Sequence, residues 1–315
     1  MTYVLTLPEI DETCVTRVGR KAAGLGILTR AGIPVPEGFC VSASAYEDFL
    51  AHNKMDAPII GSLSRLQQGE SAAQLSGEIR RAILAAAVPE SISEEIVRAL
   101  QSGGLESKAV VIRSTASAED LLEASFAGQY ESFINIAGED QIIGKIKECW
   151  ASLWNERATV YRRLRMHDYR PGTMAVIVQR MVDPEISGVM MTANPISGVE
   201  TEMVLTASFG LAESIVSGFV TPDEYHVDKN NLDILSRSIE EKKVESVPAS
   251  NGLIQRRPVA VELRRKQALP DSQILTLSRV ALEIEELFGS PQEIEWSLEG
   301  DTFFILQSRP LPVHS

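Results

Sequence analysis

A chain of 315 residues, 44% hydrophobic and 23% charged, is long enough for a large core and has the make-up of a globular protein. Its formal net charge of −13 speaks against nucleic acid or an anionic membrane as a partner, because both demand positive fields. No apolar run reaches the ~18–20 residues of a membrane helix, and the start "MTYVLTLPEIDE" lacks the basic and apolar parts of a signal peptide. Three widely spaced cysteines (Cys14, Cys40 and Cys149) suggest neither a disulfide framework nor a zinc site, so a cytoplasmic protein with buried thiols is expected.

In chain order, "GRKAAGLGILTRA" (19–31) reads as a glycine-rich turn running into a helix. Backbone N–H groups at such an entrance, with Lys21 beside them, suit an anion, although no Walker A pattern is present. The break "GIPVPEGFCVS" follows, and Ser42 is placed to cap a helix running through Leu50. Residues 51–107 read as mostly helical and polar, and the apolar run "AVVIRS" (109–114) as a buried strand. That strand delivers Arg113 into the hydroxylated and acidic run Ser114, Thr115, Ser117, Glu119 and Asp120. A strand end holds an arginine in place, whereas a surface arginine wanders.

Residues 139–165 predict one long amphipathic helix, with Ile142, Ile146, Trp150, Leu153, Tyr161 and Leu164 on its core face. "TMAVIVQRMV" (173–182) is a second apolar strand. Strand signals and glycine turns alternate through "DEYHVD", where His226 reads as a strand residue, and the charged run Ser238–Val244 follows. A helix over 271–289 is expected to start at an aspartate cap and stop at Gly289. Without regular βαβ alternation this is an α+β chain of two lobes, 1–180 and 181–315, divided near Gln179.

The terminal stretch "QEIEWSLEGDTFFILQSRP" (292–310) reads as a hairpin with a three-residue loop, Glu299-Gly300-Asp301. Alternation then groups Glu293, Glu295, Gln307 and Arg309 on one face. Carboxylates with an amide carbonyl suit Mg²⁺, and arginine suits a phosphate oxygen.

Together "GRKAAGLG", "GIPVPEGF", "IRSTASAED", "SFAGQYES", "CWASLWNERA", "VQRMV", "SGVMMTANP", "SFGLAESIVSG" and the terminal hairpin resemble the N-terminal ATP-binding domain of the phosphoenolpyruvate synthase and pyruvate phosphate dikinase superfamily. Its rifampicin phosphotransferase-like and phenylphosphate synthase-like members are the nearest in pattern. The resemblance covers nearly the whole chain, in order, and implies a two-lobed ATP-grasp fold with ATP and Mg²⁺ between the lobes. It implies that Lys21 and Arg113 contact the phosphates, beneath a 125–130 loop containing Gly128 and Gln129. Ser132 stands where the family favours threonine, Gln179 would lie near the adenine, and Glu213 would belong to the nucleotide site. Glu295 and Gln307 would hold Mg²⁺, with Glu293 as a supporting acid, and Arg309 would grip the transferred phosphoryl group. Arg309, Arg113 and Lys21 would thus be the catalytic set. The chain departs from the family at Arg20 and Ala212, where glycine is usual, and at Glu293, where aspartate is usual.

Relatives of this kind pass phosphate from ATP to a histidine on a swivelling domain, releasing AMP and Pi. That histidine lies in a T-G-G-x-T-x-H setting which none of His52, His167, His226 and His314 occupies. The expectation is an excised domain, or a free-standing subunit as in phenylphosphate synthase-like complexes. In either case a partner bears the histidine, and a small-molecule acceptor (pyruvate, an antibiotic hydroxyl or a phenol) binds elsewhere. The alternatives are an ATP-grasp ligase that releases ADP and a non-catalytic nucleotide-binding module.

Overall fold

The computed structural model describes residues 2–115, 132–165, 173–249 and 253–311. The chain separates into two compact units, Met1–Gly26 with Glu37–Met181, and Ile27–Pro36 with Val182–Ser315. Among the described residues no helix is long and apolar enough to cross a membrane.

The first unit runs β1 (Val4–Thr6), α1 (Val15–Arg30, whose last turn counts with the second unit), β2 (Gly38–Val41), α2 (Ala43–His52), α3 (Asp56–Gln67), α4 (Ala72–Ala85), α5 (Glu90–Ser102), β3 (Val110–Thr115), β4 (Ser132–Ile136), α6 (Glu139–Ser152), α7 (Glu156–Arg165) and β5 (Ala175–Arg180). Its sheet has the order β1-β2-β5-β3-β4, antiparallel throughout. Phe39, Val41, Ile112, Val176 and Val178 form the core face and join Tyr46, Phe49, Ile142, Ile146 and Trp150 from the helices. Phe49 and Trp150 rings lie 5.0 Å apart, and the Trp154 indole N–H donates to Tyr46 Oη at 2.7 Å. The tryptophans are core residues, each buried ring contributing on the order of 3 kcal/mol.

One helix over 139–165 was the expectation, but there are two. Asn155 Oδ1 accepts from the Ala158 amide at 2.8 Å, an N-cap that starts α7 afresh. Leu153 and Trp154, in the turn before it, are both fully buried.

The second unit contains β6 (Ile186–Met191), β7 (Glu202–Phe209), α8 (Glu213–Val216), β8 (Asp223–Asp228), β9 (Ile234–Ser238), β10 (Val244–Pro248), β11 (Ile254–Pro258), α9 (Asp271–Phe288), β12 (Gln292–Glu299) and β13 (Thr302–Pro310). Six strands form an antiparallel sheet ordered β13-β12-β6-β7-β8-β9, and β10–β11 stand as a separate hairpin. Met190, Met203, Leu205, Tyr225, Ile294 and Trp296 pack with Ile274, Leu277, Ala281 and Ile284 of α9, and Leu28 and Ile33 complete that core. This is why 27–36 belongs with the second unit. Gly188 is required there, because a Cβ would sit 2.8 Å from Trp296 Cζ2 and overlap the Thr206 carbonyl. Helix α9 ends at Gly289 with φ 67°, the left-handed conformation that glycine adopts freely. Its N-cap is Pro270 rather than Asp271. The Asp271 carboxylate instead accepts from Arg237 at 2.7 Å and Gln267 at 2.9 Å.

The charged run 238–244 conceals a fully buried ion pair. Lys242 Nζ donates to Asp223 and, at 3.0 Å, to the Glu240 carbonyl. Asp223 also accepts from the amides of Glu240 (2.9 Å) and Ala268 (2.8 Å). Removing one partner strands a buried charge, so Asp223→Ala is expected to cost ~3–5 kcal/mol in urea unfolding. On the opposite face, His226 bonds Glu202 and, at 3.0 Å, Glu224. Burial by itself would lower the imidazole pKa, but these carboxylates outweigh it and raise it. A raised pKa stabilises the fold below the ordinary value of about 6.5 and loses that contribution as pH climbs through the folded-state value. The urea midpoint should therefore fall over that rise, and His226→Asn should flatten the step.

Candidate nucleotide site

Directly opposed residues of an antiparallel ladder share a face. In the first unit Arg113 opposes Ile177 on one side and Ser132 on the other, Val111 opposes Gln179, and Gln179 opposes Gly38. Arg113, Thr115, Ser132 and Gln179 therefore project from the face opposite the apolar core. Gln179 is buried, only 3% accessible, whereas Ser132 is exposed. Its strand end is anchored, with the Arg180 guanidinium 2.8 Å from Glu37 and the Met181 amide donating to the Ala109 carbonyl at 2.9 Å. Gly38 lets β2 approach, since a Cβ there would lie 2.9 Å from Gln179 Cα.

Helix α1 meets the same face. Thr115 Oγ1 donates to the Val18 carbonyl at 3.0 Å, and Cys40 Sγ reaches that oxygen at 3.8 Å. Gly19 interrupts the helix with φ 75° and ψ 166°, and Lys21 follows in the first turn of the renewed helix. Arg113, Ser132 and Gln179 thus share one sheet face, and Lys21 follows the helix break that Thr115 holds against that face. Gly128 and Gln129 lie outside the described residues.

In the second unit the hairpin register sets Glu293 opposite Arg309 and Glu295 opposite Gln307. The four side chains share a face as alternation predicts, but through a shorter loop and a bulge rather than a three-residue loop. Glu299 pairs with Thr302, so the loop is Gly300-Asp301, two residues rather than three. A regular β13 would then turn Gln307 and Arg309 to the core face with Phe303 and Ile305. The register shifts between Glu295 and Trp296, where Gln307 and Ile305 are the respective partners, and Leu306 is the extra residue. This bulge returns Gln307 and Arg309 to the face of the acids.

Arg309 Nη2 donates to Glu293 Oε1 at 2.6 Å, so the longer acid at 293 orients the guanidinium. Glu295 and Gln307 offer a carboxylate and an amide carbonyl side by side, the hard oxygens that Mg²⁺ takes. Among the described residues no group of three or more His, Cys, Asp or Glu side chains could hold a metal alone. Two protein oxygens with the rest left to phosphates and water is how Mg²⁺ is ordinarily held beside a nucleotide, so the donor set fits the ion.

Glu213 is engaged differently. It opens α8 and accepts from Ser246 Oγ at 2.7 Å, with Arg256 3.5 Å away and that guanidinium 3.3 Å above the Phe219 ring. Its described partners thus come from the β10–β11 hairpin. Sequence reasoning missed these contacts, the Thr115–Val18 bond and the Leu306 bulge. Only the bulge left a trace, the unbroken apolar run Phe303–Leu306 where alternation demands polar residues.

The family model described as "Pyruvate phosphate dikinase, AMP/ATP-binding domain" matches residues 15–315. A rifampicin phosphotransferase of Streptomyces sviceus is 43% identical over 312 residues, covering 98% of this chain and 36% of that protein. A probable phosphoenolpyruvate synthase of Methanothermobacter thermautotrophicus is 38% identical over 315 residues, covering 98% of this chain and 46% of that protein. The chain thus spans less than half the length of these relatives. Among solved structures, a D-alanine–D-alanine ligase from Bacillus anthracis aligns with 72% of this chain and 57% of its own, at 8% identity and a TM-score of 0.27, too low to bear on the fold. With 301 of its residues, from 15 to 315, inside the family match, the chain belongs to the pyruvate phosphate dikinase AMP/ATP-binding domain family.

Proposed function

We propose that the chain is the ATP-binding component of a dikinase-type phosphotransferase. In this reading it adopts a two-lobed ATP-grasp arrangement, with lobes 1–180 and 181–315, and passes phosphate from ATP to a histidine on a separate swivelling domain or subunit. AMP and Pi leave, and the phosphohistidine carries its group to a small-molecule acceptor bound elsewhere. The observation that carries the reading is the hairpin register, which presents Glu295 with Gln307 and Glu293 with Arg309 in a chain of this family.

Phosphoryl transfer asks little covalent work of a protein, so positioning and charge neutralisation dominate. Lys21 and Arg113 bind the phosphate oxygens, Gln179 orients the adenine end, and Arg309, steered by Glu293, meets the transferred phosphoryl group. Glu295 and Gln307 would hold Mg²⁺, which when bound supplies neutralising charge that a chain of net −13 otherwise lacks.

Incubating the chain with Mg²⁺-ATP and a histidine-bearing partner domain, then separating the nucleotides by chromatography, is expected to yield AMP only when the partner is present. ADP, or no product with any partner, contradicts the reading. Arg309→Gln and Glu295→Gln are each expected to cut turnover by ~10²–10³. Neither should shift the unfolding midpoint appreciably, because Arg309 is half exposed and exposed ion pairs add little to stability.

A further inference from the structure

Thr115 and Gly19 meet where the end of β3 lies against the break in α1. Thr115 closes β3 two residues beyond Arg113, on the same face, and is 1% exposed. Its hydroxyl donates to the carbonyl of Val18, itself fully buried. The next residue, Gly19, has φ 75°, and a Cβ placed on it would lie 2.8 Å from the Thr115 carbonyl oxygen and closer still to Oγ1. Backbone and side chain are therefore flush, with no room for a Cβ. Two residues after Gly19 comes Lys21.

We propose that Thr115 is a positioning residue that fixes the spacing between Lys21 and Arg113, so that both cations reach one polyphosphate. The inference rests on the ATP-binding reading given above. Each cation lies two residues from the junction, Arg113 before it on the strand and Lys21 after it on the helix. The hydroxyl-to-carbonyl bond holds the helix break against the strand end, and the glycine sets the closeness of approach. Thr115 acts through these two side chains and need not touch the ligand. Lost positioning should then weaken ligands that carry the β- and γ-phosphates and spare those that do not.

Calorimetric titration of the full chain tests this with Mg²⁺-ATP and with AMP. Thr115→Val, which keeps the shape and removes the donor, is expected to weaken ATP roughly tenfold, the order of one lost hydrogen bond, and to leave AMP within about twofold. Thr115→Ser should bind ATP as the wild type does. In a Lys21→Ala background, Thr115→Val should add little, because the two residues act on one interaction. Should Thr115→Val not fold, the ratio of ATP to AMP affinity in Thr115→Ala against Thr115→Ser gives the same comparison. Equal weakening of ATP and AMP, a Thr115→Val affinity equal to wild type, or full additivity with Lys21→Ala would overturn the inference while leaving ATP binding intact. A wild-type chain that binds no ATP would instead overturn the ATP-binding reading, and this inference with it.

Discussion

Arg309 opposite Glu293 and Gln307 opposite Glu295 is the pairing that sets the polar face of the terminal hairpin. Charges on a half-exposed hairpin contribute little to holding it in register. The apolar face does that work: Trp296 opposes Ile305, Leu298 opposes Phe303, and all four are buried. A slip of one residue would send these side chains to the polar face and the carboxylates into the core, at a cost of several kcal/mol for the tryptophan and isoleucine alone, at roughly 1.5–3 kcal/mol per large side chain. The Leu306 bulge reconciles the two demands, keeping Phe303 and Ile305 inward while Gln307 and Arg309 turn outward. A site made of weakly interacting polar groups is thereby positioned by strongly interacting apolar ones.

The first unit follows the same division of labour. Phe39, Ile112, Val176 and Val178 bind one face of its sheet to the helices, and the other face carries Arg113, Thr115, Ser132 and Gln179. Gly38 and Gly19 matter because they admit backbone where side chains would not fit, bringing β2 against Gln179 and α1 against Thr115. Family membership makes the chain an AMP/ATP-binding domain of the pyruvate phosphate dikinase type. The registers say which side chains share a face in each unit.

Much of this was legible in the sequence. The apolar runs of β3 and β5 marked strands, and Gly289 marked the stop of α9. The grouping on the terminal hairpin follows from alternation and a three-residue loop, and it survives the shorter loop only because the Leu306 bulge offsets it. Other features depend on partners distant in the chain. The identity of Asn155 as a cap emerges only where Leu153 and Trp154 find their core contacts. Lys242 looks like one more charge in a charged run until Asp223, 19 positions earlier, is seen beside it. The loop length of the hairpin was misread because the bulge that compensates for it sits five residues away, and parity alone cannot separate the two. Thr115 meets Val18 across 97 positions, a separation at which no local pattern is informative.

The central claim is that Glu295 and Gln307, set side by side by the register, hold the metal of a metal-nucleotide complex. It is tested most directly by electron paramagnetic resonance titration with Mn²⁺ in place of Mg²⁺, in the presence of ATP, on the wild type, Glu295→Gln, Gln307→Ala and the double variant. The account predicts nucleotide-dependent Mn²⁺ binding that each substitution weakens, with the double variant little worse than the more severe single one. Mn²⁺ held equally well by all four proteins would contradict it.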